Sequence, residues 1–311
     1  MTIQIIEPEA RYLNKPNTEY EDVHEYKKFC KKLILDNGTI RAGRRNHFMF
    51  MGPPGTGKSL LAETLIYEVQ QELGVKIPYF VLEASEDTRE HHLKGTYVMA
   101  GDVTPFVLGV IAAAVSKANA TGIAALNVEE ISAMSPGTQK ILNGLLDQRR
   151  SVSIPEAGLH LKLDEHAHLI FISSLNPEVY GGVNALNGDL VSRLNIRLHF
   201  GFPQAQAEIN LLSNITKVKD KGLILSLVRI AQLSRISSMN YQITTRDLRE
   251  TIEIIKDTGD HTNALRSLIN PFRGSEDDYL KMVDRVQAVF DGVVIKETKV
   301  QYEDKVQAYR V

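Results

Sequence analysis

The sequence holds a single cysteine, Cys30, in 311 residues. One thiol cannot close an internal disulfide, and with no CxxC pair or Cys/His cluster no zinc site of the usual spacing can form. Such usage suits a reducing cytosol. Charge of one sign is also lacking: 36 Lys plus Arg stand against 38 Asp plus Glu, a formal net charge of −2. A near-neutral chain is no bulk polycation, which argues against non-specific coating of nucleic acid. Long apolar runs are missing. The longest, Phe106 to Val115, is broken by Gly109 and followed by Lys117, well short of the ~20 residues that span a bilayer. The first ten residues carry Glu7, Pro8 and Glu9 instead of a basic start before an apolar stretch, so no signal peptide is expected. Internal repeats and low-complexity tracts are absent too. The expectation is a cytoplasmic protein without membrane insertion.

What is there fits a globular chain. Hydrophobic residues are 43% and charged residues 24%, enough apolar surface for a core and too little charge for wholesale disorder. The length exceeds a typical domain of ~100–200 residues, which points to one large domain and a smaller one. Tyr20 to Leu35 reads as an amphipathic helix, with Lys27, Lys28, Lys31 and Lys32 among its apolar positions and Arg41, Arg44 and Arg45 following. That basic cluster reads as a solvated face. His47–Met51 has strand character, Gly52 to Gly57 is a loop, and Lys58 to Gln71 reads as a helix. Strand-like runs recur at Tyr79–Leu82, Ile123–Val128, His168–Ser173 and Arg197–Phe200, mostly separated by helical segments. That alternation predicts a parallel sheet covered on both faces. After Pro203 the periodicity becomes helical, at Ala205–Thr216, Leu223–Leu233, Thr245–Ile255 and Asp277–Phe290. The expected domains are therefore 1–203, α/β, and 204–311, helical with a C-terminal tail. The tail from Gly292 alternates weakly, as a short hairpin or a disordered end would.

The strongest motif is Gly52-Pro53-Pro54-Gly55-Thr56-Gly57-Lys58-Ser59, which matches G-x-x-x-x-G-K-[ST] between a strand and a helix. Glycines let the backbone turn its N–H groups around phosphate oxygens, and the helix N-terminus adds its positive dipole end. Residues Gly52 to Leu60 form the expected nucleotide cradle, with Lys58 on the β- and γ-phosphates and the Ser59 hydroxyl on Mg²⁺. Ile123 to Val128 then ends in Glu129-Glu130. Carboxylates at such a strand end hold Mg²⁺ and activate water, here Glu129 on the metal side and Glu130 on the water side. The usual pair is Asp-Glu, so Glu129 is a departure. His91-His92 lacks the i, i+4 spacing of helical metal ligands.

With these motifs the chain resembles an AAA+ ATPase of the MoxR group, and within it the branch of the NorQ/CbbQ activase-type chaperones and the gas-vesicle protein GvpN. The resemblance runs from about Phe48 to Asp278. It implies a P-loop NTPase sheet between helices, followed by a smaller helical lid. It implies that Asn176, ending His168-Leu-Ile-Phe-Ile-Ser-Ser-Leu-Asn176, orients the attacking water or touches the γ-phosphate. Arg193 in Asp189-Leu-Val-Ser-Arg193 matches the arginine finger that a neighbouring subunit receives, and Arg246 in Thr244-Thr-Arg246 matches the lid arginine that contacts phosphate. Val152–Pro155 and Leu159–Leu163 match the group's hairpin before the next core strand. Thr96 to Val107 falls where the group inserts a second hairpin that faces the ring channel, with Tyr97, Val98 and Phe106 as tip or packing residues.

The function implied is a homo-oligomeric ring, most often a hexamer, that hydrolyses ATP with Mg²⁺ to remodel or activate a separate protein client, with a von Willebrand factor A domain adaptor as one form of that partner. Two alternatives stand beside it: a nucleic-acid motor of the McrB or MCM kind, and a nucleotide switch that binds without hydrolysing. No zinc module, helix-turn-helix extension or strong positive charge supports the first. The joint presence of Lys58, Ser59, Glu130, Asn176, Arg193 and Arg246 weighs against the second.

Overall fold

The computed structural model describes residues 3–16, 20–35, 46–176, 184–236 and 239–290. The chain divides into two compact units, Met1–Pro203 and Gln204–Val311. Arg41, Arg44, Arg45 and the tail from Gly292 lie outside the described residues.

In the first unit the elements run β1 (Ile5–Ile6), α1 (Tyr26–Leu35), β2 (His47–Met51), α2 (Lys58–Leu73), β3 (Tyr79–Glu83), α3 (Glu90–Lys94), β4 (Gly95–Tyr97), β5 (Phe106–Leu108), α4 (Val110–Thr121), β6 (Ile123–Glu129), α5 (Pro136–Gln139), α6 (Ile141–Leu146), β7 (Ser151–Ile154), β8 (Leu159–Lys162), β9 (His168–Leu175), α7 (Gly188–Arg193) and β10 (Ile196–His199). Five of these strands form one sheet in the order β10-β2-β9-β6-β3, every neighbouring pair parallel. Strand periodicity sends alternate side chains to opposite faces. Phe48, Phe50, Ala125, Ile170 and Ile172 pack with α1 and α2 through Cys30, Ile34, Leu61, Leu65 and Ile66. Met49, Ala124, Leu126, Val128 and Phe171 pack on the other face with α4 and α6 through Ile111, Ala114, Val115, Leu142 and Leu145. Each such large side chain contributes about 1.5–3 kcal/mol on burial. The mixed α/β fold, with a central parallel sheet between helices and helices following it, is the one expected.

Three local features go beyond the sequence pattern. The first helix begins at Tyr26, not Tyr20, because Glu25 takes a left-handed φ of 59° and the Asp22 carboxylate accepts the Tyr26 and Lys27 N–H groups at 3.1 and 2.9 Å. The apolar run Phe106–Val115 is split at Gly109 into β5 and α4, and a Cβ at Gly109 would lie 2.5 Å from the Leu93 carbonyl carbon, so the close approach there requires glycine. The hairpin β4–β5 forms, but it gains a third strand: Ile5 and Ile6 pair in parallel with Phe106 and Val107. Phe106 is buried within it and stacks edge-on against Tyr97 at 5.0 Å. The exposed tip, residues 98–104, presents the large apolar side chains of Val98, Met99 and Val103, with Met99 84% exposed. The second hairpin, β7–β8, is a two-stranded antiparallel pair.

The second unit is helical: α8 (Ala205–Thr216), α9 (Lys221–Ile236), α10 (Thr245–Thr258), α11 (His261–Ile269) and α12 (Glu276–Val289). Its core holds Leu212, Leu227, Val228, Ile252, Leu265, Phe272 and Val286. Thr244, Asp260 and Ser275 cap α10, α11 and α12, Thr244 in a reciprocal capping box with Asp247. A fully buried Glu208 receives both Nη groups of Arg235, at 2.7 and 2.8 Å. The Thr245 hydroxyl donates to the same carboxylate at 2.6 Å.

Candidate functional site

The loop after β2 is shaped by what its neighbours leave room for. The Gly52 N–H donates to the Leu175 carbonyl at 3.2 Å, and the Phe200 N–H donates to the Met51 carbonyl at 2.6 Å. A Cβ on Gly52 would lie 2.0 Å from the Phe200 carbonyl oxygen, so only glycine fits between the two strands. Gly57, at φ 90°, turns the chain into α2 as its N-cap. That helix has no side-chain cap and no acidic residue in its first turn. Its first N–H groups, which no helical carbonyl can satisfy, therefore face no competing carboxylate or hydroxyl from a cap. An anionic phosphate fits such an end. The Thr56 hydroxyl donates to the Pro53 carbonyl at 2.8 Å and braces the loop. Tyr20 stands beside it, 3.8 Å from where a Gly57 Cβ would be.

Lys58 is the first residue of α2 and is 8% exposed. Its ammonium donates to the Gly52 and Pro53 carbonyls, both at 2.7 Å, and to Asn176 Oδ1 at 3.0 Å. Asn176 passes the contact on, donating through Nδ2 to Glu130 Oε1 at 3.2 Å. Lys58, Asn176 and Glu130 thus form one hydrogen-bonded chain. The topology explains it: β9 lies between β2 and β6, so the residues just beyond these three parallel strands meet at one edge. Ligand crevices of open parallel sheets lie outside such carboxyl ends. Glu130 itself has a left-handed φ of 51°, which costs a non-glycine residue about 1–3 kcal/mol and persists where surroundings enforce it. Its N–H points at the Ser174 hydroxyl, 3.4 Å away.

Glu129, the last residue of β6, is half-buried and accepts from Asn127 Nδ2 at 3.0 Å. By alternation it lies on the sheet face that carries Ala125 and packs against α2. Asn127 Nδ2 also reaches the Tyr79 hydroxyl at 3.1 Å, and burial raises the pKa of that phenol, keeping it neutral. Ser59 is exposed at the start of α2. Among the described residues no group of three or more His, Cys, Asp and Glu side chains is arranged to hold a metal ion. A hydroxyl and one carboxylate are a hard oxygen donor set that fits Mg²⁺, which binds through one or two protein ligands, phosphates and water.

Arg193 stands apart. It ends α7 beside the start of β2, where its carbonyl oxygen lies 3.0 Å from His47 Nδ1. The His47 N–H donates to Asn195 Oδ1 at 2.9 Å. The guanidinium donates to the Asp189 carbonyl of its own helix and stands 3.8 Å from the Asp147 carboxylate. Asp147 also binds Arg149 at 2.7 Å, and those hydrogen bonds hold its carboxyl below the usual range. Five residues of β2, about 13 Å of strand, separate this end from the loop. Arg246 is in the helical unit, exposed as the second residue of α10.

Asn127, Ser174 and Asp147 were not singled out by the sequence. Asn127 left a signal, as one amide within an otherwise apolar strand. The pairing of Asp147 with Arg193 left none.

Residues 47–194 match the family model described as AAA domain (dynein-related subfamily). The chain is 26% identical over 253 residues to the uncharacterized protein YojN of Bacillus subtilis strain 168, covering 81% of this chain and 77% of that one. It is 25% identical over 238 residues to an uncharacterized protein of Staphylococcus epidermidis, covering 75% and 79%. Among solved structures, NtrX from Brucella abortus aligns with a TM-score of 0.49 at 15% identity, covering 87% of this chain and 68% of that one. The RuvB Holliday junction branch migration motor of Thermotoga maritima aligns at 0.45 and 15%, covering 84% and 68%. The stretch 47–194 holds the loop, Lys58, Glu129, Glu130, Asn176 and Arg193, and it is the part of this chain that is similar to the dynein-related AAA domain.

Proposed function

We propose that this protein is a ring-forming ATPase that remodels or activates a protein partner, in the manner of the MoxR, NorQ, CbbQ and GvpN proteins. The observation that carries the reading is the hydrogen-bonded chain Lys58–Asn176–Glu130 at the edge of three parallel strands. It gathers a cation, a polar amide and a carboxylate around the mouth of an uncapped helix N-terminus. Phosphoryl transfer needs those groups: charge neutralisation, a positioned water and an acceptor for its proton.

In this reading the loop Gly52 to Leu60 holds the nucleotide phosphates, and Lys58 leaves the loop carbonyls for the β- and γ-phosphate oxygens. Ser59 and Glu129 hold Mg²⁺, which supplies neutralisation of the developing phosphate charge. Asn176 orients the water and Glu130 takes its proton. Arg193, at the far end of β2, serves a neighbouring copy, and Arg246 contacts phosphate. The client and any adaptor bind elsewhere on the ring, and the exposed Val98, Met99 and Val103 of the β4–β5 tip are the surface offered for it.

Glu130→Gln tests the reading. The amide keeps the shape but accepts no proton, so ATP affinity by calorimetry stays near that of the native protein while phosphate release stops. Full turnover in Glu130→Gln with loss in Glu129→Gln would shift the roles by one residue.

A further inference from the structure

The six residues Ile123 to Val128 of β6 are all buried, and five are apolar. The sixth is Asn127, 1% exposed. A buried amide is retained where hydrogen bonds repay its desolvation. Here the repayment is one-sided. Nδ2 donates to Glu129 Oε1 and to the Tyr79 hydroxyl, at 3.0 and 3.1 Å. Among the described residues the buried Oδ1 has no hydrogen-bond partner. The amide's orientation follows from chemistry, because a carboxylate only accepts and the nitrogen must face it. The arrangement therefore serves Glu129 at the expense of the amide's own acceptor.

Glu129 has reason to be held. A glutamate has one more rotatable bond than an aspartate at the same strand end, and that freedom is lost on ligating a cation. A partner two residues back on the same face folds the longer side chain into one geometry before any cation arrives. Resting on the proposed role of Glu129 at the metal, we infer that Asn127, steadied by the Tyr79 hydroxyl on the adjacent strand, is a positioning residue for Glu129, fixing Oε1 and presenting Oε2 to a divalent cation. Carboxylate ligands held in this way by outer hydrogen bonds lose about 10–100-fold in metal affinity when the outer partner is removed.

The test uses the full chain, Mn²⁺ as the probe and a non-hydrolysable ATP analogue, with free Mn²⁺ read by electron paramagnetic resonance. Asn127→Leu is expected to weaken Mn²⁺ binding about 10-fold, and Tyr79→Phe to weaken it less in the same direction. Affinity for the analogue without metal stays unchanged in both. In a Glu129→Asp background the shorter carboxylate withdraws from the amide, so Asn127→Leu then changes Mn²⁺ affinity little. This non-additivity is one that a general loss of packing would not produce. An equal loss in both backgrounds, or no loss in the native background while Glu129→Ala does weaken Mn²⁺ binding, would overturn the inference alone. Unchanged Mn²⁺ affinity in Glu129→Ala would overturn the metal role of Glu129 and the inference with it. If Asn127→Leu does not fold, Tyr79→Phe carries the same cycle with the same outcomes.

Discussion

The two ends of β2 are built differently. At its carboxyl end, Lys58, Asn176 and Glu130 are joined by hydrogen bonds of 3.0 and 3.2 Å. These side chains come from three separate stretches of sequence, which neighbouring parallel strands bring together. At its amino end, Arg193 leans on its own helix and on Asp147, and His47 binds the backbone around it. The strand β2 runs between the two polar groups. The carboxyl end is a hydrogen-bonded cluster. The amino end holds Arg193 about 13 Å of strand from the loop, a separation in keeping with the proposed assignment of Arg193 to a second copy.

The largest effect expected at the carboxyl end comes from Lys58→Ala. It should abolish tight Mg·ATP binding in calorimetry while far-ultraviolet circular dichroism stays native, because a lysine held by loop carbonyls is not part of the apolar core. Unchanged nucleotide affinity would dissolve the cluster's claim to be a phosphate site. A smaller effect, on stability, should come from Gly52→Ala. With 2.0 Å between the new Cβ and the Phe200 carbonyl oxygen, the strands must part, at a cost of about 3 kcal/mol. Urea unfolding should report that loss, and an unchanged midpoint would show that the loop takes a Cβ after all.

Much of the carboxyl end was legible in the sequence, because phosphate-loop spacing is local: eight consecutive residues state the turn, the cation and the helix start. The sheet was legible for a similar reason, since short apolar runs alternate with helical ones. What could not be read depends on contacts between distant residues. Ile5 and Ile6 become a strand only because Phe106 and Val107 stand ready to pair with them. The delayed start of α1 depends on the Asp22 carboxylate and a left-handed Glu25, neither of which periodicity records. Arg193 could be matched to a motif, but a sequence separation of 46 positions from Asp147 hides the partner that holds it.

The claim that the two ends of β2 serve different copies is tested most directly by mixing. Arg193→Ala should keep near-native ATP affinity and lose turnover about 10³-fold or more, as removal of an arginine finger does. Lys58→Ala should be inactive by itself. Co-assembled in one ring with ATP and Mg²⁺, the two inactive variants form some interfaces with an intact Lys58 on one side and an intact Arg193 on the other. The account predicts that phosphate release returns on mixing, at a rate that tracks the fraction of such interfaces. Shown co-assembly without any return of activity, or full activity of a strictly monomeric protein, would contradict it.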